Sequence, residues 1–340
     1  MGFRVEEVEY LKLGFLKYLV GSFDCLPLYD IPHNVVFTGS GRAALRIILE
    51  HCVNRGILQD RNEEVLIPQW LCQSVVYTMH RFCHPTLTVT KKVKAVMAYH
   101  QYGFPQNMDE VGGFCSEHKL YLIEDCAHAY ESYYKGRRLG TFGDAALLSF
   151  SKFLPSVLGG GLVTQDGKLL RYAKSRLFDS RYSHLTYASR LIFELAKNGP
   201  FKHIASDIQE MSYAKTDSAF RIKRFSLRAV AAQLRKGAME KRKANYKFII
   251  NYFDEYPECF SYLEKEGVSP YVVPLFAQEL VLKRIVKTLL ESSIYTGIYH
   301  FDVNRSVLNP CFKKCLWIPV HQGLSVTVLE RICALIKKSL

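Results

Sequence analysis

The sequence predicts an α/β protein whose ligand site lies at the carboxyl ends of neighbouring strands. Two short apolar runs indicate buried strands, 119–123 (Lys-Leu-Tyr-Leu-Ile) and 145–150 (Ala-Ala-Leu-Leu-Ser-Phe). The first run is followed by Glu124 and Asp125, and the second by Ser151 and Lys152. Because ligands of open α/β sheets bind beyond such strand ends, we expect Asp125 and Lys152 to meet at one ligand.

A third observation is a glycine-rich turn before a helical pattern. Gly39-Ser40-Gly41-Arg42 precedes an apolar-periodic run at 44–49 that is typical of the first turns of a helix. Backbone N–H groups and the helix dipole at such a start favour a phosphate. A Gly-Ser-Gly segment alone is more often a plain turn, and it is the order of motifs given below that supports the phosphate site.

Together these features suit pyridoxal phosphate. An enzyme that uses it needs a lysine to hold the aldehyde as an imine, a carboxylate for the pyridine nitrogen and small donors for the phosphate. Taken singly, an Asp after a strand is often a helix N-cap and a Lys there is usually solvated. The combination of Asp125, Lys152 and the glycine turn favours the cofactor.

A family resemblance supports this interpretation along most of the chain, over residues 35–165 and 220–335. The motifs that carry it are, in order, Thr38-Gly39-Ser40-Gly41-Arg42-Ala43-Ala44-Leu45, Glu64-Val65-Leu66-Ile67-Pro68, His100-Gln101-Tyr102-Gly103-Phe104-Pro105-Gln106-Asn107-Met108-Asp109, Glu124-Asp125-Cys126-Ala127-His128-Ala129, the run 134–144, Ser149-Phe150-Ser151-Lys152, Phe225-Ser226 and Trp317-Ile318-Pro319-Val320-His321. On these motifs the chain resembles the DegT/DnrJ/EryC1/StrS family of sugar aminotransferases.

The resemblance implies the fold of pyridoxal-phosphate-dependent transferases of fold type I. This is a large domain around a mostly parallel seven-stranded sheet, followed by a small α+β C-terminal domain, with active sites at a homodimer interface. It implies that Lys152 is the Schiff-base lysine, which also moves a proton once it is freed. It implies that Asp125 is the partner of the pyridinium nitrogen.

Other cofactor contacts follow from the same resemblance. Ser149 is the implied phosphate-contacting serine with Ser151 as a competitor, and His128 stands where the family usually has a Gln near the phenolic oxygen. Two residues are candidates to cover the face of the cofactor's pyridine ring. Trp70 has the aromatic side chain that stacks better, and Cys72 occupies the position that aligns with the family's aromatic residue. The implied phosphate contacts in the glycine turn are Gly39, Ser40, Gly41 and Arg42. The implied substrate-binding residues are Tyr102, Arg224 and His321.

Three departures from the family pattern are visible. The lysine segment continues as Phe-Leu-Pro with three later glycines instead of Gly-Glu-Gly-Gly. The chain is shorter between Thr86 and Val93, which predicts a trimmed edge of the large domain. The asparagine that the family lends across the dimer to the phosphate falls near Ile222, and Lys223 or Arg224 is its candidate replacement.

Composition agrees with a folded two-domain enzyme. The chain has 340 residues, of which 49% are hydrophobic and 23% charged. No apolar run approaches 18 residues and the first 20 residues mix charged with apolar positions, which predicts a cytoplasmic protein without a transmembrane segment. The ten cysteines are scattered without a Cys-x-x-Cys pair, so we expect reduced thiols and no metal site.

The net charge of +13 predicts an acidic partner. Nucleic acid is disfavoured because no nucleic-acid motif is present, whereas the diphosphate of a nucleotide sugar suits basic side chains at a cleft mouth. Basic groups concentrate at 221–224, 235–236 and 241–243, the last two as expected solvated helix faces. A basic face on anionic lipid, near the aromatic-rich stretch 187–201, is a lesser alternative.

The predicted organisation has three parts. Residues 1–21 form an N-terminal helix, and 22–225 form the large cofactor-binding domain, with an irregular insert at 170–218 as a candidate lid or dimer contact. Residues 226–340 hold a linking helix and the small domain. The linking helix is expected to run unbroken over 226–253 with Ser226 as its cap.

The sequence thus predicts a pyridoxal-phosphate-dependent aminotransferase of polysaccharide biosynthesis. By the resemblance, it moves an amino group from glutamate or glutamine to a keto group of a nucleotide-linked sugar, through Lys152. One alternative is a pyridoxamine-dependent sugar dehydratase of the same family, although those members replace the lysine. The other is a non-catalytic binding or regulatory protein on the same fold.

Overall fold

The large domain is built on a seven-stranded sheet, within a computed structural model that describes residues 5, 17–18, 34–178, 181–196, 218–264 and 266–340. The strands are β1 (Val35–Thr38), β2 (Glu64–Leu66), β3 (His84–Thr86), β4 (Val93–Tyr99), β5 (Tyr121–Cys126), β8 (Ala145–Ser149) and β9 (Gly160–Val163). Their order in the sheet is β1-β9-β8-β5-β4-β2-β3. Neighbours from β8 to β3 are parallel, and β9 is antiparallel to both β8 and β1. The mostly parallel seven-stranded sheet is thereby confirmed.

Helices cover the sheet and link the domains. Those of the large domain are α1 (Gly41–Asn54), α2 (Gln73–Met79), α3 (Met108–His118), α4 (Gly167–Arg176) and α5 (Arg181–Ala196). Further along the chain come α6 (Arg224–Leu234), α7 (Ala238–Tyr252), α8 (Glu279–Glu291) and α9 (Val326–Lys337). The hairpin β6 (Tyr133–Tyr134) and β7 (Arg137–Arg138) lies outside the main sheet.

The small domain carries an antiparallel sheet of three strands, β10 (Val272–Leu275), β11 (Ile298–Asp302) and β12 (Phe312–Pro319). The order is β10-β12-β11, and α8 packs against β11 and β12. One apolar core lies between α1 and the large sheet, around Ile47, Ile48 and Leu147. A second core is continuous from the large domain into the small one, through Tyr102 and Phe301 among others. The two domains therefore share buried apolar surface next to the strand ends.

The predicted linking helix is wrong in two details. The chain forms two helices, α6 and α7, because Gly237 between them takes a left-handed φ of 69° that interrupts the helical path. Ser226 lies inside α6, where its hydroxyl donates to the Ser156 carbonyl, and Lys223 occupies the cap position.

Two further expectations need correction. The insert at 170–218 is not irregular in its described part, since it contains most of α4 and all of α5; residues 197–217 lie outside the described residues. Arg242 does not belong to a solvated helix face, because its side chain is fully buried. The predicted N-terminal helix falls outside the described residues apart from Val5, Lys17 and Tyr18.

The short segment between Thr86 and Val93 leaves the sheet complete. The edge strand β3 is three residues long and pairs with β2, so the trimming affects the connection after the edge strand and removes no strand. Among the described residues, no helix combines the length and the apolar character needed to cross a membrane.

Candidate active site

Asp125 and Lys152 lie at the same edge of the large sheet. Asp125 is the penultimate residue of β5 and is in register with Tyr99 on β4 and Leu147 on β8. Lys152 follows β8 in a single helical turn, Phe150–Lys152. Since β5 and β8 are adjacent and parallel, their carboxyl ends bring the two side chains to one place.

The Asp125 carboxyl is almost completely buried. Its Oδ1 accepts a hydrogen bond from the Ala127 N–H at 2.9 Å. Burial raises the pKa of Asp125, and the charge of Lys152, the Ala127 N–H and His100 act in the opposite direction. A carboxylate held in so little water is stabilised by a fixed cation, which a protonated heterocycle supplies.

His128 connects Lys152 to the interior of the sheet. Its Nε2 lies 2.8 Å from Lys152 Nζ, and its Nδ1 lies 2.5 Å from the hydroxyl of Tyr99. The imidazole stacks on Tyr271, with ring centroids 4.2 Å apart and an interplanar angle of 8°. Burial, and after it the charge of Lys152, hold the pKa of His128 well below its usual range, so the ring is neutral.

The glycine turn opens α1 beside the end of β8. Ser40 is the N-cap, and its hydroxyl accepts from the Ala43 N–H at 3.0 Å. A side chain added at Gly41 would touch Ser149, so Ser149 lies next to the helix start. A side chain at Gly160 would meet the Ser40 and Gly41 backbone at 2.3–2.6 Å, which only glycine avoids. The first N–H groups of α1 are thus packed against the pair of strands that flank the lysine turn.

The structure separates the two candidates for the ring face. Trp70 stacks on His300 of the small domain, at 4.2 Å between ring centroids and an interplanar angle of 1°. Cys72 is within electrostatic reach of Lys152 and Arg42. Burial raises the pKa of Cys72, but bonds to Ser74 and these two charges outweigh it and lower the pKa. Of the two candidates, Cys72 is thus the one that interacts with the charge of the lysine, whereas Trp70 lies towards the domain junction.

The three candidate substrate residues are placed differently. The Tyr102 hydroxyl donates to the His300 carbonyl at 3.1 Å, which joins the two domains beside His128. His321 is buried, with its Nδ1 accepting from the Gly323 N–H at 3.2 Å. Arg224 is exposed at the first position of α6. Tyr102 is thus packed against the hydrogen-bond network of the lysine through the His128 ring.

Comparison with known proteins identifies the family. The model of the DegT/DnrJ/EryC1/StrS aminotransferase family matches residues 86–337. The chain belongs to the DegT/DnrJ/EryC1/StrS aminotransferase family. Its members depend on pyridoxal phosphate, so this is the cofactor that the DegT-family site must accommodate.

Individual relatives are similar over shorter stretches. The chain is 42% identical to GDP-perosamine synthase of Escherichia coli O157:H7 over 83 residues, which are 24% of this chain and 23% of the relative. It is 31% identical to dTDP-3-amino-3,4,6-trideoxy-alpha-D-glucose transaminase of Streptomyces venezuelae over 199 residues, which are 50% of this chain and 51% of the relative. The chain thus spans about a quarter and about half of the length of these two curated relatives.

A solved structure agrees over a longer span. Helicobacter pylori PseC, an aminotransferase involved in the biosynthesis of pseudoaminic acid, superposes with a TM-score of 0.65. The superposition covers 90% of this chain and 86% of PseC at 16% sequence identity. The likeness shows the fold, which is that of the fold type I aminotransferases.

The DegT-family site fits pyridoxal phosphate in its donor set. Asp125 offers a buried carboxylate, Lys152 an amine and the start of α1 with Ser149 a set of N–H and hydroxyl donors. Ser151 shares the helical turn of Lys152 and is half-buried. The cofactor needs an amine for its aldehyde, an anion for its ring nitrogen and hydrogen-bond donors for its phosphate. Groups of all three kinds are present at one sheet edge.

A second polar cluster of this DegT-family chain lies behind the site. His100, Glu124 and Cys126 are buried within ligand distance of one another. The Glu124 carboxylate accepts from the N–H groups of Gly140, Phe142 and Gly143, and from His100 Nε2 at 3.2 Å. Its oxygens already have protein donors, so this cluster fixes the loop before β8.

Sequence reasoning missed Tyr99, Tyr271 and Arg242. Tyr99 is the last residue of an apolar strand, so its sequence context predicts a core residue without a role in the site. Tyr271 is distant from Asp125 in the sequence, and nothing in the sequence indicates that the two regions meet. Arg242 sits in a basic run, yet its guanidinium donates to the carbonyl groups of Phe153, Pro270 and Tyr271. The one available signal was Tyr99 itself, a polar hydroxyl directly before the predicted site loop.

Proposed function

We propose that the protein is a pyridoxal-phosphate-dependent aminotransferase that transfers an amino group to a keto group of a nucleotide-linked sugar. The observation that carries the proposal is the meeting of Lys152 with Asp125 and His128 at the carboxyl ends of β5 and β8. Lys152 also argues against the dehydratase alternative, in which the lysine is replaced. The intact set of lysine, buried carboxylate and imidazole argues against a non-catalytic protein.

The proposed cofactor-binding residues act through charge and hydrogen bonds. When bound, pyridoxal phosphate supplies an electron sink for the carbanion formed at the reacting carbon. Asp125 would hold the ring nitrogen protonated, which strengthens that sink. Ser149 and the start of α1, Gly39 to Arg42, would hold the phosphate. Cys72 is the proposed residue at the ring face, which is supported by its electrostatic interaction with Lys152.

Lys152 is proposed to have two tasks. Its amine would hold the cofactor aldehyde, and after displacement by the amino donor it would move a proton to or from the reacting carbon. His128, hydrogen-bonded to the lysine at 2.8 Å, keeps the amine directed at the site. Water is restricted at these groups because Asp125, His128 and Tyr99 are buried.

The proposed donor is glutamate or glutamine, and the proposed acceptor is a nucleotide sugar of polysaccharide biosynthesis. The net charge of +13 supports an acceptor that carries phosphate. Relatives differ on this point, since E. coli GDP-perosamine synthase is named for a nucleotide sugar and an L-glutamine:2-deoxy-scyllo-inosose aminotransferase of Micromonospora echinospora for an uncharged cyclitol. The charge favours the first class for this chain.

We also propose a cytoplasmic homodimer in which the active site is shared. Ile222 is buried against Gly159, so it cannot supply the amide that the family lends across the dimer. Arg224, exposed at the start of α6, is the proposed replacement, with Lys223 beside it. A guanidinium is a suitable hydrogen-bonding partner for the phosphate of the cofactor that is proposed to bind in the neighbouring subunit.

The first half-reaction is tested by the visible spectrum of the purified protein with added cofactor. We expect a band at about 420 nm, which excess L-glutamate or L-glutamine shifts to about 330 nm. Lys152→Ala should not form the band, whereas Lys135→Ala, which changes an exposed lysine, should behave as wild type. A wild-type protein that binds the cofactor without the band would contradict the proposal.

The acceptor is tested with the aminated enzyme. A keto sugar linked to a nucleoside diphosphate should restore the band at about 420 nm, and the same sugar without the nucleotide should not. Return of the band only with a keto-cyclitol would assign the chain to the uncharged acceptor class instead.

A further inference from the structure

Tyr99, His128 and Lys152 form a chain of hydrogen bonds that ends in the interior of the sheet. The Tyr99 hydroxyl lies 2.5 Å from His128 Nδ1, and His128 Nε2 lies 2.8 Å from Lys152 Nζ. Tyr99 and His128 are 9% and 8% exposed. Both ring nitrogens of His128 are therefore engaged, one by the lysine and one by a phenol.

A neutral imidazole has one N–H and one lone pair, and its two neighbours decide which nitrogen carries the proton. The ammonium form of Lys152 can only donate, so it requires the proton on Nδ1, which then donates to the Tyr99 oxygen. An acceptor facing Nε2 requires the opposite tautomer, in which the Tyr99 hydroxyl donates to Nδ1. A hydroxyl serves both cases because it can donate and accept.

The ring of His128 is held in its plane by its neighbours. It is stacked on Tyr271 at 4.2 Å, and the Tyr102 ring lies at 6.0 Å with an interplanar angle of 28°. Those two tyrosines are themselves joined, since the Tyr271 N–H donates to the Tyr102 carbonyl at 2.8 Å. A change of tautomer reverses both hydrogen bonds of the imidazole without moving the ring out of this stack.

We propose that Tyr99 is a positioning residue that lets His128 exchange between its two neutral tautomers. In the cofactor-free protein His128 accepts from the Lys152 ammonium, and with cofactor bound it donates from Nε2 to the phenolic oxygen. The second half of this proposal rests on the proposed function. The first half is a property of the chain alone and can be tested without cofactor.

Several neighbouring groups also act on the lysine and must stay constant in any test. Asp125 on β5 and Cys72 before α2 interact with its charge, and its Nζ lies 6.0 Å from the centroid of the Tyr271 ring before β10. Arg42 on α1 acts in turn on Cys72, and His100 after β4 acts on Asp125. Burial, and after it the nearby Tyr102, Asp125, Tyr271 and Cys72, raise the pKa of Tyr99 well above its ordinary value, so the phenol keeps its proton. Tyr99→Phe leaves every one of these groups in place.

In Tyr99→Phe the ring still packs but Nδ1 loses its partner. A buried N–H without an acceptor is costly, so the proton of His128 moves to Nε2 and points at Lys152. The ammonium form is then disfavoured, and the pH midpoint at which Lys152 becomes reactive should fall by about one unit. A merely structural role of Tyr99 predicts no such shift.

The experiment is trace acetylation of the full-length, cofactor-free protein between about pH 6 and pH 10, with Lys152 quantified by peptide mass spectrometry. Tyr102→Phe is the matched control, because the Tyr102 ring also lies beside His128. Its hydroxyl, however, donates to the His300 carbonyl and not to the imidazole. We expect the lower midpoint in Tyr99→Phe only, and no further shift when Tyr99→Phe is added to His128→Gln. An unchanged midpoint in Tyr99→Phe would overturn the proposal.

A second measurement keeps the proposal testable even if the variant does not fold. ¹⁵N NMR of the histidine rings in the wild-type protein, assigned with His128→Gln, should show the His128 proton on Nδ1 without cofactor and on Nε2 with it. A proton on Nε2 in the cofactor-free protein would overturn the inference. Failure of the proposed function is distinguishable, because it would remove the visible band while leaving the proton on Nδ1 and the shift in Lys152 labelling.

Discussion

At the scale of the residue, the site depends on glycines that let the backbone approach its neighbours. Gly39 donates its N–H to the Phe220 carbonyl at 2.8 Å, and a methyl group at Gly39 would lie 1.8 Å from the Phe220 ring. Because Phe220 is fully buried, its ring has no space to yield. The turn that opens α1 is thus fixed by packing.

This packing predicts a specific loss in Gly39→Ala. Overpacking should lower the free energy of unfolding by about 1–3 kcal/mol and weaken cofactor binding, because the turn at the proposed phosphate site must move. Gly112→Ala is the control, since nothing lies within 4 Å of the added methyl group inside α3. The control should gain about 0.5–1 kcal/mol from helix propensity. Urea unfolding measures the free energy of unfolding of both variants. Equal values for Gly39→Ala and Gly112→Ala would contradict the role of packing at Gly39.

At the scale of the element, Arg242 of α7 fastens the lysine segment to the small domain. Its guanidinium donates to the Phe153 carbonyl, next to Lys152, and to the side chain of Gln322. Gln322 donates in turn to the same Phe153 carbonyl at 2.7 Å. The Pro270 and Tyr271 carbonyl groups accept from Arg242 as well, which holds the ring that stacks on His128.

Arg242→Met should therefore destabilise the protein. The loss of several buried hydrogen bonds from a charged donor predicts a decrease of about 3 kcal/mol in the free energy of unfolding. Lys241→Met, one position earlier and exposed, should stay within about 0.5 kcal/mol of wild type. Chemical unfolding of the two variants tests this, and a stable Arg242→Met protein would show that the carbonyl groups find replacement donors.

The contact between α1 and α4 predicts a dependence on pH. Glu50 accepts from Arg46 at 2.9 Å and from Arg176 at 3.0 Å. Burial raises the pKa of Glu50, but the two guanidinium groups outweigh it and bring the pKa below its ordinary value of 4.5. A lowered pKa in the folded state stabilises the protein above the unfolded-state value, and this contribution is lost as the pH falls through the folded-state value.

Glu50→Gln should accordingly be less stable than wild type by about 1 kcal/mol at neutral pH, because one partner is half-exposed. The difference should shrink as the pH falls below 4.5. Thermal unfolding across the pH range measures it, with Glu117→Gln as an exposed control that follows the wild-type curve. A gap that is constant with pH would exclude the ion pairs as its cause.

The outcome of the sequence predictions also differs by element. The strands that end near Asp125 and Lys152 were predictable because a short apolar run that stops at polar residues is typical of a buried strand ending at a ligand site. The break at Gly237 was not, since a single glycine inside a helical pattern is usually tolerated. The burial of Arg242 was hidden for a different reason: its partners are backbone carbonyl groups from distant segments, and these have no sequence signature.

At the scale of the whole molecule, we propose that residues of the small domain and of a second subunit complete the site. Tyr271 and His300 come from the small domain and complete the wall around His128, Tyr102 and Trp70. At the proposed phosphate site at the start of α1, Arg224 of a second copy of the chain would supply a further positive charge. An isologous dimer places two such sites at one interface.

Mixing two inactive variants tests this arrangement. Lys152→Ala removes the lysine of its own subunit, and Arg224→Ala removes the cation that is proposed to act in the neighbouring one. In an equal mixture that exchanges subunits, about half of the dimers are mixed, and each mixed dimer has one site with both residues intact. About a quarter of the wild-type activity should therefore return.

The control mixture combines Lys152→Ala with Asp125→Asn. Both of these residues serve the site of their own subunit, so each site of a mixed dimer keeps one defect and no activity should return. Rescue in the first mixture alone would place Arg224 across the interface, because only a residue lent to the neighbouring site can be complemented in this way. Absence of rescue in both mixtures, with subunit exchange verified by mass spectrometry, would confine Arg224 to its own subunit and contradict the shared site.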